Sequence, residues 1–114
     1  MASTKRYCFA LDLKDDPQLI TEYENYHKKV WPGILDSIKS AGIENMEIYR
    51  TGNRLFMIME VGQHFTFENK AAADAANPEV REWEQLMWKF QQPLKWARAG
   101  EKWILMNKIF ALDN

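Results

Sequence analysis

Met46-Glu47-Ile48-Tyr49-Arg50-Thr51-Gly52-Asn53-Arg54-Leu55-Phe56-Met57-Ile58-Met59-Glu60-Val61 reads as two strands and a turn. Met46, Ile48 and Arg50 alternate with Glu47 and Tyr49, the period-two pattern of a strand. Thr51-Gly52-Asn53 is turn chemistry, and Leu55 to Val61 is the second arm of an expected hairpin. That second arm is apolar at both parities, Leu55/Met57/Met59 and Phe56/Ile58. A sheet with two apolar faces needs a cover on each. Helices supply one cover. A second copy of the chain, packed sheet on sheet, is the natural other, so a homodimer with a barrel-like sandwich is expected.

Working outward, Tyr7, Phe9, Leu11 and Leu13 alternate with Cys8, Ala10 and Asp12, an opening strand. Asp16 is placed to cap a helix whose first residue is Pro17. Leu19, Tyr23, Tyr26 and Val30 recur at helical spacing, and Pro32 forces a kink or a restart. Ile34, Leu35 and Ile38 continue an apolar face to Gly42, a C-terminal cap. Beyond the hairpin, Phe67 to Ala76 suits a short helix, and Asn77-Pro78 ends it and starts another. That helix, Glu79 to about Phe90, carries Val80, Trp83, Met87 and Phe90 on one face. Gln91 to Glu101 reads as a long loop and Trp103 to Phe110 as the last strand. The order β-α-β-β-α-β predicts an α+β, ferredoxin-like fold, a four-stranded antiparallel sheet with helices on one face.

At 114 residues one domain is expected, residues 1–114. A formal net charge of −1 gives no global pull toward nucleic acid or an anionic membrane, so neither is an expected partner. Cys8 is the sole cysteine; no intrachain disulfide can form, which fits a reducing cytoplasm, and its apolar strand predicts a buried thiol. No secretory signal pattern and no apolar run of membrane-spanning length occurs, so a cytoplasmic protein is expected.

There is no P-loop, no G-x-G-x-x-G and no G-x-S-x-G. The two histidines, His27 and His64, lie apart from the cysteine, and no spacing resembles a metal site. What remains is Tyr23 and His27, at i and i+4 on one helix face, with Trp31 four residues on. Imidazole moves protons near neutral pH, phenol hydrogen-bonds hydroxyls, and indole covers apolar ring faces. Spacing alone equally allows a histidine packed between helix and sheet. Glu47 and Glu60, on adjoining strands, are either a solvated face or a second acid/base; Glu60 sits in an apolar run, where a carboxylate is costly unless paired or near a site. Trp83 is either core or site.

These residues carry a resemblance. The opening strand Tyr7-Cys8-Phe9-Ala10-Leu11, Tyr23-x-x-x-His27 with Trp31-Pro32, Ser37-Ile38-Lys39-x-x-Gly42, Tyr49, Leu55-Phe56-Met57 and Trp83 make the chain similar to the L-rhamnose mutarotase family over nearly its whole length. The tail, Met87 to Leu94 with Gly100 to Trp103, resembles the L-fucose mutarotase-like branch. The resemblance implies a dimeric α/β barrel and cofactor-free interconversion of pyranose anomers, with a monosaccharide as the small-molecule partner. It implies that His27 is the proton donor and that Tyr23 and Trp83 bind the sugar. Where L-rhamnose members carry a further tyrosine and a second tryptophan, this chain has Met46 and Glu84. Those two positions therefore point to L-fucose ahead of L-rhamnose.

Two other classes fit the same architecture. One is a haem-binding or quinol-type monooxygenase, in which a helix histidine faces a porphyrin or a quinol; the other is a non-catalytic dimeric binding module.

Overall fold

The structure, a computed structural model, describes residues 5–113. The elements run β1 (Lys5–Leu13), α1 (Pro17–Lys28), α2 (Pro32–Ser40), β2 (Ile43–Thr51), β3 (Arg54–Val61), α3 (Phe67–Ala76), α4 (Pro78–Trp88), β4 (Gln91–Gln92) and β5 (Ile104–Leu105). The α+β fold matches the expected order, with β4 and β5 sharing the work of the fourth strand.

Helix starts follow local chemistry. The Asp16 carboxylate accepts from the Gln18 and Leu19 amides, satisfying donors that the first turn of α1 cannot pair. At Pro32 the chain restarts rather than kinks: α1 ends at Lys28 and Pro32 opens α2, where a missing N–H costs nothing. Asn77 serves two helices. Its backbone N–H donates to the Asp74 carbonyl to close α3, and its side chain accepts from Glu79 and Val80 to open α4.

The sheet is antiparallel in the order β2-β3-β1, and the far edge of β1 takes both β4 and β5. Gln92 and Gln91 pair with Asp12 and Leu13, so the expected loop from Gln91 begins as a strand. Ile104 and Leu105 pair with Ala10 and Phe9. The expected last strand, Trp103 to Phe110, is corrected to those two residues. The Met106 amide still donates to the Cys8 carbonyl at 2.7 Å, but residues 107–113 hold no regular structure. Asn107 and Lys108 bury nothing there, and edge pairing without apolar cover is marginal in water. Ile109, Phe110 and Leu112 are consequently exposed.

Alternation divides the sheet into two faces. Leu11, Leu13, Leu55, Met57, Met59 and Val61 are buried on the first, beneath Tyr23 of α1, Ile34 of α2, and Val80, Trp83 and Met87 of α4. The second face carries Cys8, Ala10, Phe56 and Ile58, all half-buried. Cys8 is therefore not the fully buried thiol its sequence context predicts. Ion pairs Arg6–Glu60 at 3.3 Å and Arg54–Asp12 at 2.8 Å flank this apolar strip. No helix among the described residues is long and apolar enough to cross a membrane.

Replacing Asn77 by Ala removes the cap of α4 while leaving its core face intact. The expected loss is about 1 kcal/mol, the usual value of an N-cap side chain. Urea unfolding checks it: the midpoint falls and the m-value stays constant.

Candidate active site

Tyr23 and His27 face inward from α1, one turn apart, because residues at i and i+4 share a helix face. Their rings lie 4.4 Å apart, centroid to centroid, tilted by 37°. His27 Nδ1 is 2.9 Å from the Tyr23 carbonyl oxygen. A carbonyl only accepts, so Nδ1 carries the proton and Nε2 is the nitrogen left for chemistry. Trp83 packs against His27 from α4, the ring centroids 5.7 Å apart and the planes at 68°. Trp31 stands behind Trp83 at 5.0 Å and caps α2 from outside the cavity, so it braces the indole rather than covering a ligand.

These rings wall a cavity of about 280 Å³ between the helices and the first face of the sheet. Its sheet side is Phe9, Met46, Ile48, Met57 and Met59. Val30, Ile34, Met87 and Trp103 add to the apolar lining. The polar groups are few: Tyr23, His27, Glu84, Lys70 and Gln91. Glu84 lies at the exposed rim, where its carboxylate holds Lys102 at 2.5 Å, and Lys70 pairs with Asp74 one turn along α3. Phe67, at the start of α3, is the most exposed aromatic of the lining.

A sequence profile described as L-rhamnose mutarotase matches residues 6–112. An L-fucose mutarotase of Xanthomonas campestris is 46% identical over 97% of this chain and 90% of its own length. A Dictyostelium discoideum protein of the group named UPF0734 is 37% identical over 96% of this chain and 90% of its own. The chain belongs to the L-rhamnose mutarotase family. The crystal structure of the L-rhamnose mutarotase of Formosa agariphila superposes with a TM-score of 0.67 over 96% of this chain and 99% of its own, at 19% identity, and so shares the fold.

Within this mutarotase-family cavity, five residues expected from sequence converge: Tyr23, His27, Met46, Trp83 and Glu84. Two expected acid/base candidates do not. Glu47 and Glu60 point to the second face, each one residue out of phase with a cavity residue, Met46 and Met59 respectively. Glu60 binds Arg6 and Asn45 there, and Glu47 accepts from the Tyr49 hydroxyl. Both are thus excluded from the cavity by strand parity. Gln91, Lys70, Phe67 and Trp103 line it without having been singled out. Trp103 alone had a signal, an aromatic at the head of an expected strand; Gln91 sat in a polar run with no period.

Burial sets the protonation of the site. It lowers the His27 pKa below its ordinary 6.5, opposed by the backbone hydrogen bond to Tyr23. Burial also pushes the Tyr23 phenol up to about 12; the Gln91 side chain offsets part of this and the Glu84 charge adds to it. At neutral pH the imidazole is therefore a free base and the phenol a proton-bearing donor.

Because folding lowers the His27 pKa, the unfolded chain binds this proton more readily than the folded one. The His27 contribution to stability is complete above pH 6.5, its unfolded value, and is lost as pH falls from there through the lower folded value. Urea unfolding at about pH 7.5 and about pH 5, bracketing the free imidazole range, should show wild type losing more stability on acidification than His27→Gln. Equal losses would mean that His27 titrates as a free imidazole.

Proposed function

We propose that the protein interconverts the α and β anomers of a 6-deoxy-L-hexopyranose, L-fucose in preference to L-rhamnose, without a cofactor and with His27 moving the proton. The carrying observation is a neutral, half-buried His27 set between a phenol and the indole of Trp83, in an apolar cavity of monosaccharide size. Pockets for drug-sized ligands run about 300–1,000 Å³, so about 280 Å³ suits a single sugar ring.

One imidazole suffices for the reaction. Nε2 takes the proton from the anomeric hydroxyl as the bond from C1 to the ring oxygen breaks. It then delivers that proton to the departing ring oxygen, giving an open-chain aldehyde and a free hydroxyl. Rotation about C1–C2 presents the other carbonyl face, and the same steps in reverse close the ring. No second carboxylate is needed, which fits the absence of Glu47 and Glu60 from the cavity. Acid–base catalysis by such a group supplies ~10²–10⁴-fold. The Tyr23 phenol donates to a sugar oxygen, and Trp83 with Met46 and Met59 faces the methyl group and C–H surfaces.

The preference for L-fucose rests on Met46 and Glu84, both at the cavity. A thioether donates no hydrogen bond, whereas a carboxylate accepts several. The Glu84–Lys102 pair lies half in solvent. Pairs of this kind are worth ~0.2–1 kcal/mol, so a sugar hydroxyl can compete for the Glu84 carboxylate. The functional unit is a homodimer closed over the second face, where the apolar strip with its charged edges lacks cover among the described residues; Ile109, Phe110 and Leu112, exposed beyond β5, are further apolar surface for a partner to bury. The lone thiol of Cys8, with no disulfide to form, suits a reducing cytoplasm.

Exchange NMR at the anomeric protons, with both sugars at one enzyme concentration, tests the reading. L-fucose should exchange faster than L-rhamnose, and His27→Ala should lower the rate by ~10²-fold or more with near-UV dichroism unchanged. Normal exchange in folded His27→Ala would remove its role. A faster rate with L-rhamnose would reassign the sugar alone. No acceleration of any sugar, together with a stoichiometric Soret shift on hemin titration, would favour the haem-binding class.

Light scattering at micromolar concentration should return twice the 13.5 kDa chain mass. A monomer would mean that the second face stands uncovered.

A further inference from the structure

Gln91 is 4% exposed, and its Oε1 is the one buried side-chain polar atom without a hydrogen-bond partner among the described residues. It lines the cavity from β4, beside Tyr23 and Met87. Its backbone is held by pairing with Leu13, itself 1% exposed, so the side chain projects from a fixed point. The Gln91 side chain reaches the Tyr23 hydroxyl and favours its ionised form, which is the work of an amide N–H and leaves Oε1 unpaired. A carboxamide presents a donor and an acceptor from one position, so either orientation leaves a polar atom facing the cavity. Natural cores pair or eliminate such atoms, because a buried group without a partner retains its full desolvation cost. The cavity's other polar side chains have partners or proton work: Glu84 holds Lys102, Lys70 holds Asp74, and His27 Nδ1 holds the Tyr23 carbonyl.

We propose that Gln91 is a sugar-binding residue whose carboxamide pairs with one ring hydroxyl of the bound 6-deoxy hexose and so reads its configuration. This rests on the cavity being the sugar site. L-fucose and L-rhamnose differ in the orientation of the hydroxyls on C2 and C4, and a site with a buried polar group at one of those positions rejects the epimer that leaves it unpaired. Gln91 thereby adds an interior contact to the rim contact of Glu84.

The test is Gln91→Met, close in volume and without the amide. Its melting temperature should stay close to that of wild type, since the loss of the contact with Tyr23 is offset by removal of an unpaired buried oxygen. Its KM for L-fucose should rise roughly tenfold while kcat changes less than about threefold, as for a contact made equally in ground and transition states. KM for L-rhamnose should rise less, narrowing the preference. The 2-deoxy and 4-deoxy analogues identify the hydroxyl: the one lacking Gln91's partner has the same KM in both proteins. Gln91→Asn, which withdraws the amide by one methylene, should show the same KM rise and serves if Gln91→Met fails to fold. Unchanged KM in a folded variant overturns the proposal and leaves the mutarotase reading intact, as does failure of both variants to fold, which would make the side chain structural. Wild type that accelerates no sugar strikes the mutarotase reading itself, and this proposal with it.

Discussion

Leu11 and Leu55 face each other across β1 and β3, at 0% and 2% exposure, and everything in the site inherits their register. A strand has period two, so a slip of one residue would turn every side chain to the other face. Fixed by this pair and by Leu13 beneath α1 and α4, Phe9, Met57 and Met59 must point to the helices. The same constraint sends Cys8, Phe56, Ile58 and Glu60 away. The turn supports it: the Asn53 side chain donates to the Leu13 carbonyl at 3.0 Å, and the Leu13 amide donates to the Asn53 carbonyl at 2.6 Å. The hairpin is thus tied to the end of β1 that also receives β4, the strand carrying Gln91.

Dryness is the second consequence of that packing. The helices that bury Leu13 and Leu55 also bury Tyr23 and most of His27, and burial favours the uncharged form of each. Two groups that can both hydrogen-bond and transfer protons thus stand neutral in a pocket lined by methionine and aromatic carbon. In such surroundings a hydrogen bond to a sugar hydroxyl is stronger than in water, and an unpaired polar atom is more costly. The same low polarity that keeps His27 uncharged makes the unpaired Oε1 of Gln91 costly.

Much of this was readable in the residues. Helical period gave Tyr23 over His27 and the Val80–Trp83–Met87 face, because helix faces depend only on local spacing. Asp16-Pro17 and Asn77-Pro78 announced their helix starts through capping chemistry that is equally local. Of the two readings open for Glu47 and Glu60, the structure favours the solvated face, and strand parity is the reason. Counting from Met46 and Met59 alone puts both carboxylates on the opposite face. The Trp103–Phe110 strand was overextended because alternation shows what a segment can pair with, not whether an edge can hold it. Gln91 was invisible for a related reason: its burial comes from pairing with Leu13, seventy-eight positions earlier in the chain.

The two faces of the sheet are not independent. Trp103 lines the cavity, and the next residue, Ile104, pairs with Ala10 and so lies on the second face. β5 is held by two ladder residues and one further hydrogen bond, from the Met106 amide to the Cys8 carbonyl. So short an edge strand is marginal by itself, and its position depends on apolar contacts at both sides. Trp103 supplies the cavity side by packing against both clusters of the core. Ile104 offers the other side to whatever covers Ala10, Phe56 and Ile58. Burying that strip would stabilise β5 at ~25 cal/mol per Å² of apolar surface, and every increment that holds Ile104 in place also holds Trp103. Cover on the second face is therefore a term in the rigidity of the cavity wall on the first.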